Sequence, residues 1–163
     1  MDPLLRSLPL LALVACAAPA PVETPFEGPG YDPETGLLAD QDAPFLVALT
    51  ELHVKNAPGP GKRFGELADA VGTHLYRDEP AGFVGGSFRN VGKLEWWPMT
   101  VWTDEVAMTD FILSEPHASA MTELSEVAVA ARSTHTEFPA GGEPPTWDWA
   151  LDTLDGVGWL VGP

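Results

Sequence analysis

The chain has 163 residues, 24 of them acidic and eight basic, for a formal net charge of −16. That length suffices for one domain with its own core. A surface this acidic repels nucleic acid phosphates and anionic membrane surfaces, so nucleic-acid binding is excluded as an expected function.

Chain order begins with Arg6, an apolar run from Leu8 to Ala15, and then Cys16, the single cysteine. With no partner thiol there is no disulfide framework. The run is shorter than the roughly 20 residues of a membrane span. Leu13-Val14-Ala15-Cys16 resembles the end of a bacterial lipoprotein signal peptide, although Asp2 departs from the basic start of that pattern. The resemblance implies removal of residues 1–15, acylation of Cys16, and a mature chain anchored by lipid at the extracytoplasmic face of the cell envelope. Read without it, Cys16 is an apolar residue of a short N-terminal helix. Residues 16–43 follow, rich in Pro, Gly, Asp and Glu and without apolar periodicity; they read as a flexible tether. The folded domain is expected over residues 44–163.

Phe45 to Val54 reads as a strand. Asn56-Ala-Pro-Gly-Pro-Gly61 reads as a turn, and Phe64, Leu67, Ala68, Val71 and Leu75 recur at helical spacing up to about Arg77. Phe83 to Val91 is a second strand whose glycines suit a bulge or a close approach. Glu95 to Thr103 is a third, with Pro98 suggesting an edge or a bulge. Asp104 is placed to cap a short helix carrying Val106, Ala107, Phe111 and Ile112, and Ser114-Glu-Pro-His117 starts another reaching Val127. Arg132 to Phe138 alternates as a fourth strand, and Trp147, Ala150, Leu151 and Leu154 mark a last helix. The order β-α-β-β-α-β is that of a ferredoxin-like α+β unit, an antiparallel sheet with helices on one face.

Met99 to Met121, with Val101-Trp102, an acidic helix start, Phe111 nine residues on and His117 at the next helix start, resembles the antibiotic-biosynthesis-monooxygenase-like superfamily of dimeric α+β barrels. Pro80 to Phe88 resembles its entry to the second strand, and Pro145 to Leu154 resembles the tails of a branch near spheroidene-monooxygenase-like proteins. The likeness covers Phe45 to about Leu154. It implies a homodimer whose sheets close a barrel, a pocket between sheet and helices, and, in some members, oxidation of polycyclic phenols by dioxygen without a cofactor. The haem-degrading branch has Trp at the position of Phe111, a ligating His at that of Met121, and Asn at that of Thr50; the mismatches argue against haem degradation. No cofactor is expected.

His117 is the candidate catalytic base, or else a helix-start residue with a local contact. Trp102, Phe111 and Met121 are candidate walls for a small apolar or aromatic ligand, and Trp96 shares the face of Trp102 while Trp97 takes the other. The tryptophans serve equally for packing. Glu51 and His53 share a strand face, which lines the pocket or meets solvent; in the second case Leu46, Ala48, Leu52 and Val54 form the core set. His135 and Glu137 alternate likewise, and His53 and His135 are a conceivable metal pair if their strands are neighbours, though no metal site is assigned. Arg89 is a ligand-carboxylate partner or an ion-pair partner. No phosphate loop, nucleophile elbow or dinucleotide fingerprint is present. The function these readings give is a lipid-anchored, monooxygenase-like protein; the alternative is a non-catalytic ligand- or partner-binding lipoprotein of the same fold.

Overall fold

The computed structural model describes residues 19–162. The signal-peptide reading and Cys16 fall outside them. Seven strands, β1 (Pro21–Glu23), β2 (Tyr31–Asp32), β3 (Leu37–Leu38), β4 (Phe45–Val54), β5 (Phe83–Val91), β6 (Glu95–Trp102) and β7 (Ala128–Phe138), combine with five helices. These are α1 (Pro58–Tyr76), α2 (Glu105–Ile112), α3 (Glu115–Thr122), α4 (Leu124–Val127) and α5 (Trp147–Leu154). The main sheet has the order β1-β5-β6-β4-β7, and every pairing in it is antiparallel. From β4 to β7 this is the expected βαββαβ unit, an α+β ferredoxin-like fold.

Three boundaries differ from expectation. The Pro-Gly segment at 58–61 is the first turn of α1, not a turn before it. Proline fits there because the first helical N–H groups have no intrahelical acceptor to lose. β7 begins four residues early, since Ala128, Ala130 and Ala131 are buried under the helices and sheet while lacking a strand-like apolar alternation. Pro98 lies in an interior strand. Its missing N–H falls where the β4–β6 ladder is interrupted, between Leu49↔Met99 and Leu52↔Trp96.

The tether reading is corrected from Pro19 onward. β1 extends the sheet beside β5, with Val22 opposite Asn90. Thr24 N donates to Phe88 O (2.8 Å), and Glu27 exchanges backbone bonds with Gly86 (3.0 and 2.8 Å). Leu38 is buried in the core. The glycines of β5 make this possible: a Cβ on Gly85 would lie 2.6 Å from the Phe26 ring, and one on Gly28, whose φ is +157°, would lie 2.2 Å from Gly85 Cα. Composition hid this segment because its order comes from backbone pairing to a sheet edge, which leaves no side-chain periodicity.

The sheet is covered on both faces. The odd residues of β4, Phe45, Val47 and Leu49, are all at most 1% exposed. They pack with Val84, Met99, Val101 and the α5 residues Trp147, Ala150 and Leu154, with Phe26 and Tyr31 alongside. Trp147 Nε1 donates to Ser87 Oγ (3.0 Å), and Ser87 Oγ donates to Thr24 O (2.8 Å), so one buried chain ties α5, the sheet and the N-terminal segment together. The even residues of β4 look the other way, toward α1, α2 and α3. This sheet face is thus filled from within the chain, by α5 and the N-terminal segment.

Candidate functional site

The helical face holds an apolar cavity of about 300 Å³. Its floor comes from alternate positions of the sheet: Ala48, Thr50 and Leu52 on β4, and Trp96, Pro98, Thr100 and Trp102 on β6. Its roof comes from α1, whose Phe64, Leu67, Val71 and Leu75 recur every three to four residues and so point one way. Met108 and Phe111 on α2 and His117 and Met121 on α3 close one end. Small residues leave the space: Ala48 lies under the roof, and a Cβ at Gly72 of α1 would touch nothing within 4 Å.

A side-chain cap fixes α2 at that end. Asp104 Oδ1 accepts from Ala107 N (2.8 Å) at the start of α2. Trp102 is fully buried and donates through Nε1 to Thr100 Oγ1 (2.9 Å), so its indole N–H is spent within the wall. Trp102 and Phe111 lie 4.9 Å apart, Phe111 and His117 5.0 Å, and Phe111 stacks on His74 at 6.0 Å with an 11° interplanar angle. Aromatic rings therefore pin His117 from behind.

His117 is half-buried at the cavity wall. Burial holds its imidazole below the usual histidine range, opposed by the nearby Ile112 carbonyl. That carbonyl, 3.2 Å from Nδ1, can only accept. Nδ1 therefore carries the proton, and Nε2 of the neutral ring is left as an acceptor. Across the cavity, Ser133 Oγ donates to Leu49 O (2.9 Å) and lies 3.0 Å from Thr50 Oγ1. The cavity thus offers one basic nitrogen and a few hydroxyls in apolar walls, which suits a small hydrophobic molecule carrying a hydroxyl.

Of the expected site residues, Trp102, Phe111, His117 and Met121 line one cavity together. Trp96 shares it, and Trp97 belongs to the opposite core, as strand alternation requires. His53 and Arg89 do not line it, and both expectations of pocket residues are corrected. They occupy strand positions that face the α5 side. Arg89 is ion-paired with Glu23 of β1. His53 donates from Nε2 to Glu51 Oε1 (2.7 Å), and Arg132 Nε donates to Glu51 Oε2 (2.6 Å). Arg132 also donates to Leu154 O (2.8 Å) and lies under the Trp159 ring, 4.9 Å from its centroid. Glu51 is 6% exposed. Its carboxyl is held below the usual range: burial pushes it up, and the bonds from His53 and Arg132 outweigh that. The strand face of Glu51 and His53 is thus neither pocket nor free surface; it anchors the C-terminal tail. His53 pairs with Ala130 and His135 with Ala48, so the two histidines do not meet. Among the described residues no cluster of three His, Cys, Asp or Glu is placed to hold a metal.

Sequence reasoning missed the even residues of β4 and the whole roof of α1 as cavity lining. The signal was there in the alternation Leu46, Ala48, Thr50, Leu52, but it was read as an alternative core set. It also missed the Thr50–Ser133 hydroxyl pair, which only strand register brings together.

No family model and no curated protein matches the sequence. The fold is similar to solved structures. A conserved protein from Methanosarcina mazei Go1 is 14% identical with a TM-score of 0.50, covering 60% of this chain and 95% of its own. A protein from Pseudomonas aeruginosa is 12% identical with a TM-score of 0.51, covering 61% and 99%. A provisionally named antibiotic biosynthesis monooxygenase from Caulobacter crescentus CB15 is 8% identical with a TM-score of 0.50, covering 60% and 92%. At such identities the likeness is one of fold. These neighbours match over nearly all of their length, and the unit from Phe45 to Phe138 is itself about three fifths of this chain. The chain shares the α+β fold of these solved structures and carries additions at both ends.

Proposed function

We propose that this domain binds a small, apolar, hydroxyl-bearing compound and oxidises it with dioxygen, with no cofactor, His117 serving as base. The observation that carries the reading is the unprotonated Nε2 of a half-buried histidine in an apolar cavity. The name of the Caulobacter neighbour supports the same class of reaction. Nε2 takes the hydroxyl proton, and the resulting electron-rich anion supplies the electrons to dioxygen. A ring C–H carbon para to that oxygen bonds one atom of dioxygen and becomes a carbonyl, and the other oxygen atom leaves as water with that carbon's hydrogen and the hydroxyl proton returned by Nε2, so atoms and electrons balance. Apolar walls favour this by excluding water from the anion. Trp102 and Phe111 form its flat wall.

Part of the same proposal is that Cys16 carries the lipid anchor, which places the cavity at a membrane, where apolar compounds concentrate.

The test is oxygen uptake and product mass over a panel of electron-rich phenols. The expected product is one oxygen heavier and two hydrogens lighter, and His117→Gln lowers kcat/KM by about 100-fold. Retained turnover in that variant refutes the base assignment. Tight binding with no oxygen consumed reduces the domain to a binding module.

A further inference from the structure

The charges of this acidic chain are unevenly placed. One end of the sheet gathers the end of β4, the first turns of α1, the β5–β6 turn and the start of β7: Val54 N donates to Leu94 O (2.7 Å) and Lys55 N to Val127 O (2.8 Å). Six of the eight basic residues, Lys55, Lys62, Arg63, Arg89, Lys93 and Arg132, stand at this end. Glu23, Glu51, Glu66, Glu95, Glu123 and Glu126 stand there too. Four of them are spent on those cations, Glu23 on Arg89, Glu51 on Arg132 (2.6 Å), Glu66 on Lys62 and Arg63 (3.3 and 3.1 Å), and Glu123 on Arg63 (2.5 Å). Among the described residues Lys55 and Lys93 have no carboxylate partner, and Glu95 and Glu126 have no cation; Lys55 donates instead to Ser125 O (2.8 Å). These charges cancel, and the end is near neutral.

The opposite end carries Asp42, Asp78, Glu79, Asp104, Glu105 and Glu137, against Arg77 alone. The molecule is an electric dipole whose negative end points away from the lysines.

The chain also enters at the neutral end. Pro21 pairs with Val91, and the Pro19 ring lies beside the turn residue Gly92, 3.3 Å from where a Cβ there would sit. Cys16 is three residues upstream, and three residues reach at most about 11 Å. The segment read as a long tether is used up in the sheet.

We propose that this lysine-bearing end, at the β5–β6 turn, is the docking surface for an anionic lipid bilayer. The proposal rests on the anchor at Cys16. With so short a link the domain sits against the lipid, and its charge decides which way up. Anionic headgroups repel the acidic end and leave the balanced, lysine-bearing end as the one that can approach. The cavity then has a direction. Phe64 and Trp96, 5.4 Å apart, frame its membrane end, and His117 lies at the far end. A ligand held along that axis presents its hydroxyl to Nε2 at the end away from the bilayer.

The experiment uses the full chain, expressed in a bacterium and reconstituted in vesicles of phosphatidylglycerol and phosphatidylcholine containing brominated lipid. Lys93→Cys and Glu137→Cys are each labelled with bimane, both at exposed positions. Lys62→Cys and Asp42→Cys repeat the comparison independently. The expected result is several-fold stronger quenching at positions 93 and 62 than at 137 and 42. Equal or reversed quenching on chains that still float with the vesicles overturns the orientation while leaving the anchor standing. A chain without new cysteines that takes the label at Cys16 and does not float overturns the anchor, and the proposal with it. Neither outcome bears on oxidation, which is read from oxygen uptake.

Discussion

Gly72 offers the most direct access to the cavity. It sits in the interior of α1, lines the space, and a Cβ built on it would meet nothing within 4 Å. Replacing a helix-interior glycine by a helix former is worth about 1 kcal/mol through the unfolded chain alone. A leucine here also buries apolar surface against Val71, Leu75 and the sheet, where full burial is worth roughly 1.5–3 kcal/mol. Because position 72 is only half-buried, about half of that is realised, and Gly72→Leu should stabilise by about 2 kcal/mol. For a domain of this size that raises Tm by roughly 4–8 °C. The same side chain occupies the ligand's space, so affinity for a neutral apolar dye such as N-phenyl-1-naphthylamine should fall at least tenfold, roughly 1.4 kcal/mol. Calorimetry and fluorescence titration read the two effects on one sample. A lower Tm would mean that side chains already fill the space in solution. A higher Tm with unchanged dye affinity would mean that the ligand binds elsewhere. Either result refutes the reading of the cavity as the site.

Because burial lowers the pKa of His117, its neutral form is the one favoured by folding. The stability it contributes is complete above the ordinary histidine value of about 6.5 and is lost as pH falls through the lower folded value. His117→Gln should flatten that part of the stability profile, measured by denaturant titration across mildly acid pH, and the rate of the proposed oxidation by the unaltered chain should rise through the folded value and stay level above it. Arg132→Met strands the buried Glu51 carboxylate with His53 alone, and should cost about 3 kcal/mol by chemical denaturation, with Glu51→Gln in the same chain recovering part of it. Gly85→Ala drives a methyl into the Phe26 ring and the Glu27 carbonyl. Overpacking of this kind costs about 1–3 kcal/mol, and hydrogen exchange should show residues 21–30 opening before the rest of the sheet. Unchanged protection there would return the N-terminal segment to the status of a tether.

Periodicity made the central unit legible. The stripe from Phe64 to Leu75 and the alternation of β4 and β6 each bury one apolar face, and such patterns survive in any context that keeps that face covered. The same logic sorted Trp96 and Trp102 from Trp97. It could not choose between two strand faces that are both apolar, and so His53 was placed at a pocket from which it is turned away. Of the two readings of Arg89, the ion pair is the one realised, with a partner that no local pattern could name: Glu23 lies 66 residues away in sequence, on a strand without a pattern of its own.

The sequence by itself determined the order of elements, the position of His117 at a helix start behind Phe111, and the acidic balance, because each depends on residues near one another in the chain. Only the tertiary structure decided that residues 19–43 and α5 close the second face of the sheet, that Thr50 meets Ser133, and that six scattered cations share one end with as many glutamates. Those facts depend on strand register and on close backbone approach at Gly28 and Gly85, and neither leaves a periodic trace along the chain.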